Sequence, residues 1–126
     1  MDLNEQVGQA SPHRLIELLF DGLLGNLDKS RQALTGNDIE ALILALGSAK
    51  AILQGLNDSL DVAEGGALAA NLGALYDYMA RRLQDVEMQL SDKPLAELED
   101  LVQTLKEAWQ AIEPEHGPDL QLGVGG

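Results

Sequence analysis

Between Gly66 and Leu90, apolar residues return every three or four positions: Leu68, Leu72, Leu75, Met79, Leu83, Val86 and Leu90. At about 100° per residue they fall on one face of a helix, whereas the two-residue period of a strand would scatter them over both faces. The same spacing recurs in three other stretches. Ile16, Leu19, Phe20, Leu23, Leu27 and Leu34 form one stripe, and Ile39, Leu42, Leu46, Ala49, Leu53, Leu56 and Leu60 form the next. Leu98, Leu101, Val102, Leu105, Ala108, Trp109 and Ile112 form the last. Four amphipathic helices, each with one face to bury, are what this chain must accommodate.

The residues between the stripes say how the helices connect. Ser11-Pro12 predicts a helix start, with Ser as N-cap and Pro at the first helical position, where its missing N–H costs nothing. Thr35-Gly36-Asn37 predicts its end near Leu34, and Asn37-Asp38 opens a second helix running to about Val62. Glu64-Gly65-Gly66 permits a tight reversal into the third, which ends near Ser91-Asp92-Lys93, and Pro94 sits in the first turn of the fourth. Helices of this length span roughly 30–39 Å at 1.5 Å per residue. Turns of a few residues force antiparallel neighbours, so the predicted fold is all-α, an up-down-up-down four-helix bundle. Residues 1–112 read as one bundle domain, with Met1 to Ala10 as a short N-terminal arm and 113–126 as a flexible Gly-rich tail.

Composition narrows the function. The chain has no Cys, which excludes disulfides, thiolate catalysis and thiolate metal sites. A formal charge of −13 would repel nucleic acid and anionic membrane surfaces alike. Phe20, Tyr76, Tyr78 and Trp109 are the only aromatic residues, so the core is built of Leu, Ile and Ala, which suits helices. No apolar run approaches the roughly 18 residues of a membrane span, and the N-terminus lacks a signal-like pattern. The expectation is a cytoplasmic protein with no membrane insertion.

An inventory of reactive groups yields no catalytic centre. A di-iron bundle needs two inward Glu-x-x-His motifs and two further carboxylates. Here Glu113-Pro-Glu-His116 matches that spacing once, across a proline in the tail. His13, in the first turn of the first helix, reads as a solvated residue, and a phosphotransfer histidine would sit in mid-helix among small and basic residues. Most carboxylates occupy outward positions and form a solvated face. No enzyme activity, metal or cofactor is expected.

The anomaly is apolar and small surface. Leu18 and Leu24 fall off the first stripe, and behind the second stripe lie Leu44, Gly47, Ser48, Ala51 and Gly55 instead of charges. A surface Gly costs about 1 kcal/mol relative to Ala, so this strip reads as a shallow groove where another backbone can approach. On the third helix Tyr78 and Arg82 are four apart, so the guanidinium can lie over the ring, and Asp77 and Arg81 are spaced for an ion pair. Tyr78 and Arg82 read either as boundary residues or as part of a binding flank. The predicted partner-binding residues are Leu18, Leu24, Leu44, Gly47, Ala51, Gly55, Tyr78 and Arg82, with a partner that folds as it binds.

Several segments resemble the flagellin export chaperone family, FliS. They are Ala10-Ser-Pro-His-Arg-Leu-Ile-Glu-Leu-Leu-Phe-Asp-Gly22, Gly65-Gly66, Leu75-Tyr-Asp-Tyr-Met-Ala-Arg-Arg-Leu83 and Ala108-Trp109. The resemblance covers residues 5 to 112. It implies a cytoplasmic, mostly antiparallel helical bundle that binds the disordered C-terminal segment of flagellin. Binding would prevent premature polymerisation and aid delivery to the flagellar type III export gate, with a co-chaperone as a further partner. Members usually carry a longer N-terminal arm with a tyrosine before the Ala-Ser-Pro element; ten residues, none aromatic, precede Ser11 here. A self-associating helical scaffold and a histidine-phosphotransfer bundle are the alternatives from other classes.

Overall fold

The computed structural model describes residues 12–63 and 66–111. The Ser11 cap, the N-terminal arm, the Glu64-Gly65 reversal, Ile112 and the tail with Glu113 and His116 lie outside the described residues, as do the side chains of Leu60 and Leu68. Four helices follow in order: α1 (Pro12–Thr35), α2 (Ile39–Ala63), α3 (Gly66–Gln89) and α4 (Lys93–Gln110). The predicted all-α fold stands, and no strand occurs among the described residues.

The turns form for the reasons the sequence supplies. After α1, Asp38 N–H donates to Ala33 O at 2.9 Å and Gly36 N–H to Gln32 O at 3.0 Å, satisfying carbonyls that the helix leaves free. Asn37 takes φ 56°, a left-handed conformation that asparagine tolerates, and the Asp38 carboxylate caps α2 by accepting from Ala41 N–H at 3.1 Å. At the start of α4, Pro94 occupies the first turn as predicted, and Ser91 Oγ accepts from Lys93 N–H at 3.2 Å.

Contacts between helices give the topology. Along α1, His13, Asp21 and Arg31 meet Trp109, Lys106 and Glu99 of α4, an ascending order against a descending one. A Cβ on Gly22 would meet Ile52 and one on Gly55 would meet Leu19, so α1 and α2 also run in opposite directions. Lys50 pairs with Glu87 at 3.6 Å, and Gly73 faces Asn57, so α2 and α3 do too. Each helix packs on two neighbours, α1 on α2 most extensively, then α2 on α3 and α4 on α1 about equally, and α3 on α4 least. These pairs make the bundle up-down-up-down. Gly22 matters to this arrangement, because its missing side chain lets Ile52 come within 3.2 Å of where a Cβ would stand.

The core draws on all four stripes, with Ile16, Phe20, Leu23 and Leu27; Leu42, Leu46 and Leu56; Met79, Leu83 and Val86; Leu98 and Val102, and adds Leu95, which the fourth stripe did not include. Ser30 is the one fully buried polar residue among those described, and its hydroxyl donates to Asn26 O at 2.8 Å. Three stripe assignments need correction. Ile39 is exposed because it opens α2 at the rim, one turn before Leu42. Leu90 is exposed because α3 ends at Gln89 and the chain turns there, so helical periodicity no longer sets its direction. Ala108 is exposed at the end of α4, where Trp109 takes the inward position.

Candidate functional site

The first site element is the flank of α2 against α1. A groove of about 580 Å³ runs between them, floored by Ala33, Ala41 and Ala45 and walled by Asn26, Lys29, Gln32, Leu44 and Ser48. It reaches the α1–α2 turn at Gly36 and Asp38. Three alanines keep the floor low, which lets another chain's backbone approach. Leu44 stands on its wall with 70% of its surface exposed, an unusual cost for a leucine. Along the same helix Gly47 and Ala51 are exposed, with nothing within 4 Å of a Cβ on Gly47.

The other residues expected on this strip sit differently. Gly55 is half-buried against Leu19, with a Cβ position 3.9 Å from that side chain, so the strip turns inward toward α1 at its lower end. Leu24 is half-buried and packs on the core, while Leu18 is half-buried without joining the core cluster. The groove therefore brings Leu44 together with Ser48 and the alanine floor, and does not include Leu18 or Leu24. Helical period alone could not reveal this, because the floor is shared between two helices.

By length and composition Ile39–Ser59 of α2 is long and apolar enough to cross a membrane, a test that the core helix of a bundle also passes. No uninterrupted apolar run betrays it, yet Glu40, Lys50 and Asp58 are its only charged residues. Its core face is packed in the bundle, but only 33% of that stretch is buried. The most apolar helix of the four thus keeps much of its surface outward.

On the α3–α4 edge, Tyr78 and Arg82 do not stack on each other. The Tyr78 hydroxyl and the Arg82 Nε both donate to the Glu97 carboxylate of α4, the Arg82 bond at 2.7 Å, and a second Arg82 nitrogen reaches Asp85 at 2.7 Å. A charged hydrogen bond across two helices replaces the predicted cation–π contact, because the carboxylate offers the guanidinium a stronger partner than a ring face. Sequence spacing placed Tyr78 and Arg82 together but could not show Glu97, 15 and 19 residues away. The same contacts shift protonation: the hydrogen bonds from Tyr78 and then Arg82 hold Glu97 below the usual carboxylate value, and the bond to Glu97 pushes Tyr78 up. Asp77 and Arg81 form no ion pair; both point into solvent, where such a pair gains little against side-chain entropy.

His13 is the residue the sequence misplaced. Instead of being solvated, its side chain is only 10% exposed and stacks on Trp109, with ring centroids 5.1 Å apart. Its Nε2 lies 3.1 Å from Trp109 O, and Trp109 Nε1 donates to His13 O at 2.9 Å. Gln110 donates to Glu17 at 3.0 Å beside them. The pair clasps the first turn of α1 to the last turn of α4, which leaves His13 unsuited to accept a phosphoryl group. The signal was present as Trp109 at the end of a stripe, but its partner lies 96 residues away.

Among the described residues no cluster of His, Asp and Glu is arranged to hold a metal ion. What the surface offers is a groove with an alanine floor, one exposed leucine and mostly polar walls, a network of paired charges and a closed core, which suits holding another chain rather than transforming a small molecule.

Comparison with known proteins agrees with that reading. The flagellar protein FliS family matches residues 2–116. The chain is 40% identical over 116 residues to the flagellar secretion chaperone FliS of Salmonella typhimurium, covering 91% of this chain and 86% of that protein. It is 37% identical over 112 residues to the flagellar secretion chaperone FliSB of Pseudomonas aeruginosa, covering 89% of each. To the Bacillus subtilis flagellar secretion chaperone FliS it is 36% identical over 110 residues, covering 86% of this chain and 81% of that one. The chain therefore belongs to the flagellar protein FliS family, whose relatives are named as secretion chaperones, a non-enzymatic role.

Proposed function

We propose that this protein binds the disordered C-terminal segment of flagellin in the cytosol, keeps it from polymerising there and aids its delivery to the flagellar type III export apparatus. The observation that carries the proposal is the flank of α2, where Leu44 is 70% exposed beside a groove of about 580 Å³ with an alanine floor. Leu44, Gly47 and Ala51 receive the apolar residues of the segment, which becomes helical as it docks; Gly55, Leu18 and Leu24 shape the α1 side of the path. Tyr78 and Arg82 lie on the α3–α4 edge, so a partner that touches them as well must wrap the bundle. Ordering a disordered chain costs roughly 2–5 kcal/mol, so a tight complex needs a large, mainly apolar contact. Binding should therefore show a strongly negative heat-capacity change and weak salt dependence despite the charge of −13.

Co-elution with full-length flagellin but not with flagellin lacking its C-terminal segment tests the partner. Ala51→Gln tests the site: the position is exposed, so the variant should fold and bind more weakly. Parental affinity in a folded Ala51→Gln protein would move the site away from this flank, to the Tyr78 edge.

A further inference from the structure

The two sides of the α1–α2 groove differ in chemistry. Helix α2 contributes Ala41, Leu44, Ala45 and Ser48, small or apolar apart from one hydroxyl. Helix α1 contributes Asn26, Lys29 and Gln32, which stand three residues apart and so form one polar row along its surface. Asn26 Nδ2 donates to Gly22 O at 2.9 Å and Gln32 Nε2 donates to Asp28 at 2.7 Å. Each amide thus spends a donor within α1 and keeps its oxygen to accept from outside. Lys29 lies between them with three donors and no acceptor.

The pairing of charges sets Lys29 apart. In a chain with 21 carboxylates to eight bases, Arg31, Lys50, Arg82 and Lys106 each pair with an acid on a neighbouring helix. Lys29 forms no ion pair with any described residue, and it is the only cation lining the groove. The acids nearest to it in the chain and in the groove are engaged: Asp28 accepts from Gln32, and Asp38 caps α2 by accepting from Ala41 N–H. An exposed ammonium on a groove wall, with those acids occupied, is set to take a carboxylate from a chain lying in the groove.

We infer that Lys29 fixes the register of the docked segment by pairing with an Asp or Glu side chain of that segment. The inference rests on the proposed function for the existence of the segment. An alanine floor permits close approach but is nearly uniform along the groove, so a docked helix could slide by a turn at little cost. A charge pair is lost by such a slide of about 5.4 Å, which is how polar contacts select one alignment among several apolar ones. Charge complementarity points the same way. On a surface of −13 an acidic side chain is favoured only beside an unpaired cation, and the other two such cations, Arg81 and Lys93, lie on α3 and α4, away from the groove. The segment is therefore amphipathic: small apolar residues toward α2, an acid toward α1, and hydrogen-bond donors about a turn to either side of it for Asn26 and Gln32.

Titration calorimetry of the full-chain protein with the flagellin C-terminal segment tests this on the parent, Lys29→Gln, Lys29→Glu and Ala51→Gln, at low and high salt, with thermal melts on each. Lys29 is exposed, so its variants should melt with the parent. In about 0.01 M salt Lys29→Gln should bind roughly three- to fivefold more weakly than the parent, and Lys29→Glu roughly tenfold. Both differences should vanish near 1 M salt, where the screening length has shrunk from about 30 Å to about 3 Å. Neutralising the acids of the segment one at a time should find one whose loss no longer matters in Lys29→Gln. Parental affinity in Lys29→Gln, alongside a weakened Ala51→Gln, overturns the role of Lys29 and leaves the groove as the site. A loss that salt does not remove also overturns it, since that marks contact with the aliphatic stem, as do segment acids whose effects all add to that of Lys29→Gln. A segment that fails to bind the parent overturns the proposed partner and this inference together.

Discussion

Leu83→Ala tests how tightly the four stripes close. Leu83 is 1% exposed and lines the narrow interior space at the bundle centre with Leu23, Leu27, Leu53, Met79, Leu98 and Val102, so all four helices contribute to its surroundings. Removing three methylene-equivalents forfeits about 2.4 kcal/mol at roughly 0.8 kcal/mol per buried CH₂. The space left behind adds to that, because four helices joined by short turns cannot all move inward together. Met79, unbranched and adaptable, can fill part of it. The total should be about 3–4 kcal/mol, inside the range of roughly 2.7–5 kcal/mol seen for buried leucines. For a domain of this size each kcal/mol lowers the midpoint by roughly 3–5 °C, so the variant should melt about 10–15 °C below the parent. Urea denaturation followed by circular dichroism should show a lower midpoint with an unchanged slope, since the surface exposed on unfolding is nearly the same. A loss under about 1 kcal/mol would refute the packing argument, placing Leu83 where solvent or a mobile neighbour can replace it.

Other outcomes follow from single side chains. Burial pushes the Tyr76 hydroxyl up to about 12 and it has no hydrogen-bond partner among the described residues, so stability is intact below pH 10 and falls as pH rises from 10 toward 12. Tyr76→Phe should abolish that fall, which a raised folded pKa makes roughly 2–3 kcal/mol, and be close to neutral at pH 7; alkaline melts of both proteins check it. Glu97 is held below its ordinary value of 4.5, so its contribution is present above that pH and is lost as pH drops through the lower folded value; acid melts of Glu97→Gln should lack this component. In the same variant the Tyr78 ionisation, followed by ultraviolet absorbance, should move down toward its ordinary value, since the bond to Glu97 is the main cause of its rise. Trp109→Phe keeps a ring beside His13 but removes the donor to His13 O, and should cost about 1 kcal/mol in denaturant titration.

The sequence by itself determined four helices, their ends to within about two residues, and most of the core. These are local properties: a stripe such as Leu75, Met79 and Leu83 records one helix face in the chain, and Gly36, Asp38 and Pro94 mark boundaries through their own backbone chemistry. Short turns then leave one economical topology, and the small outward residues Gly47 and Ala51 were legible because they lie on a single helix. Only the tertiary structure decided what depends on the register between helices. His13 meets Trp109, and Tyr78 meets Glu97, through pairings whose distance along the chain no periodicity encodes. The groove has a floor because Ala33 of α1 faces Ala41 and Ala45 of α2. Leu90 continues the α3 stripe in sequence, yet it turns outward because a helix face exists only while the helix does.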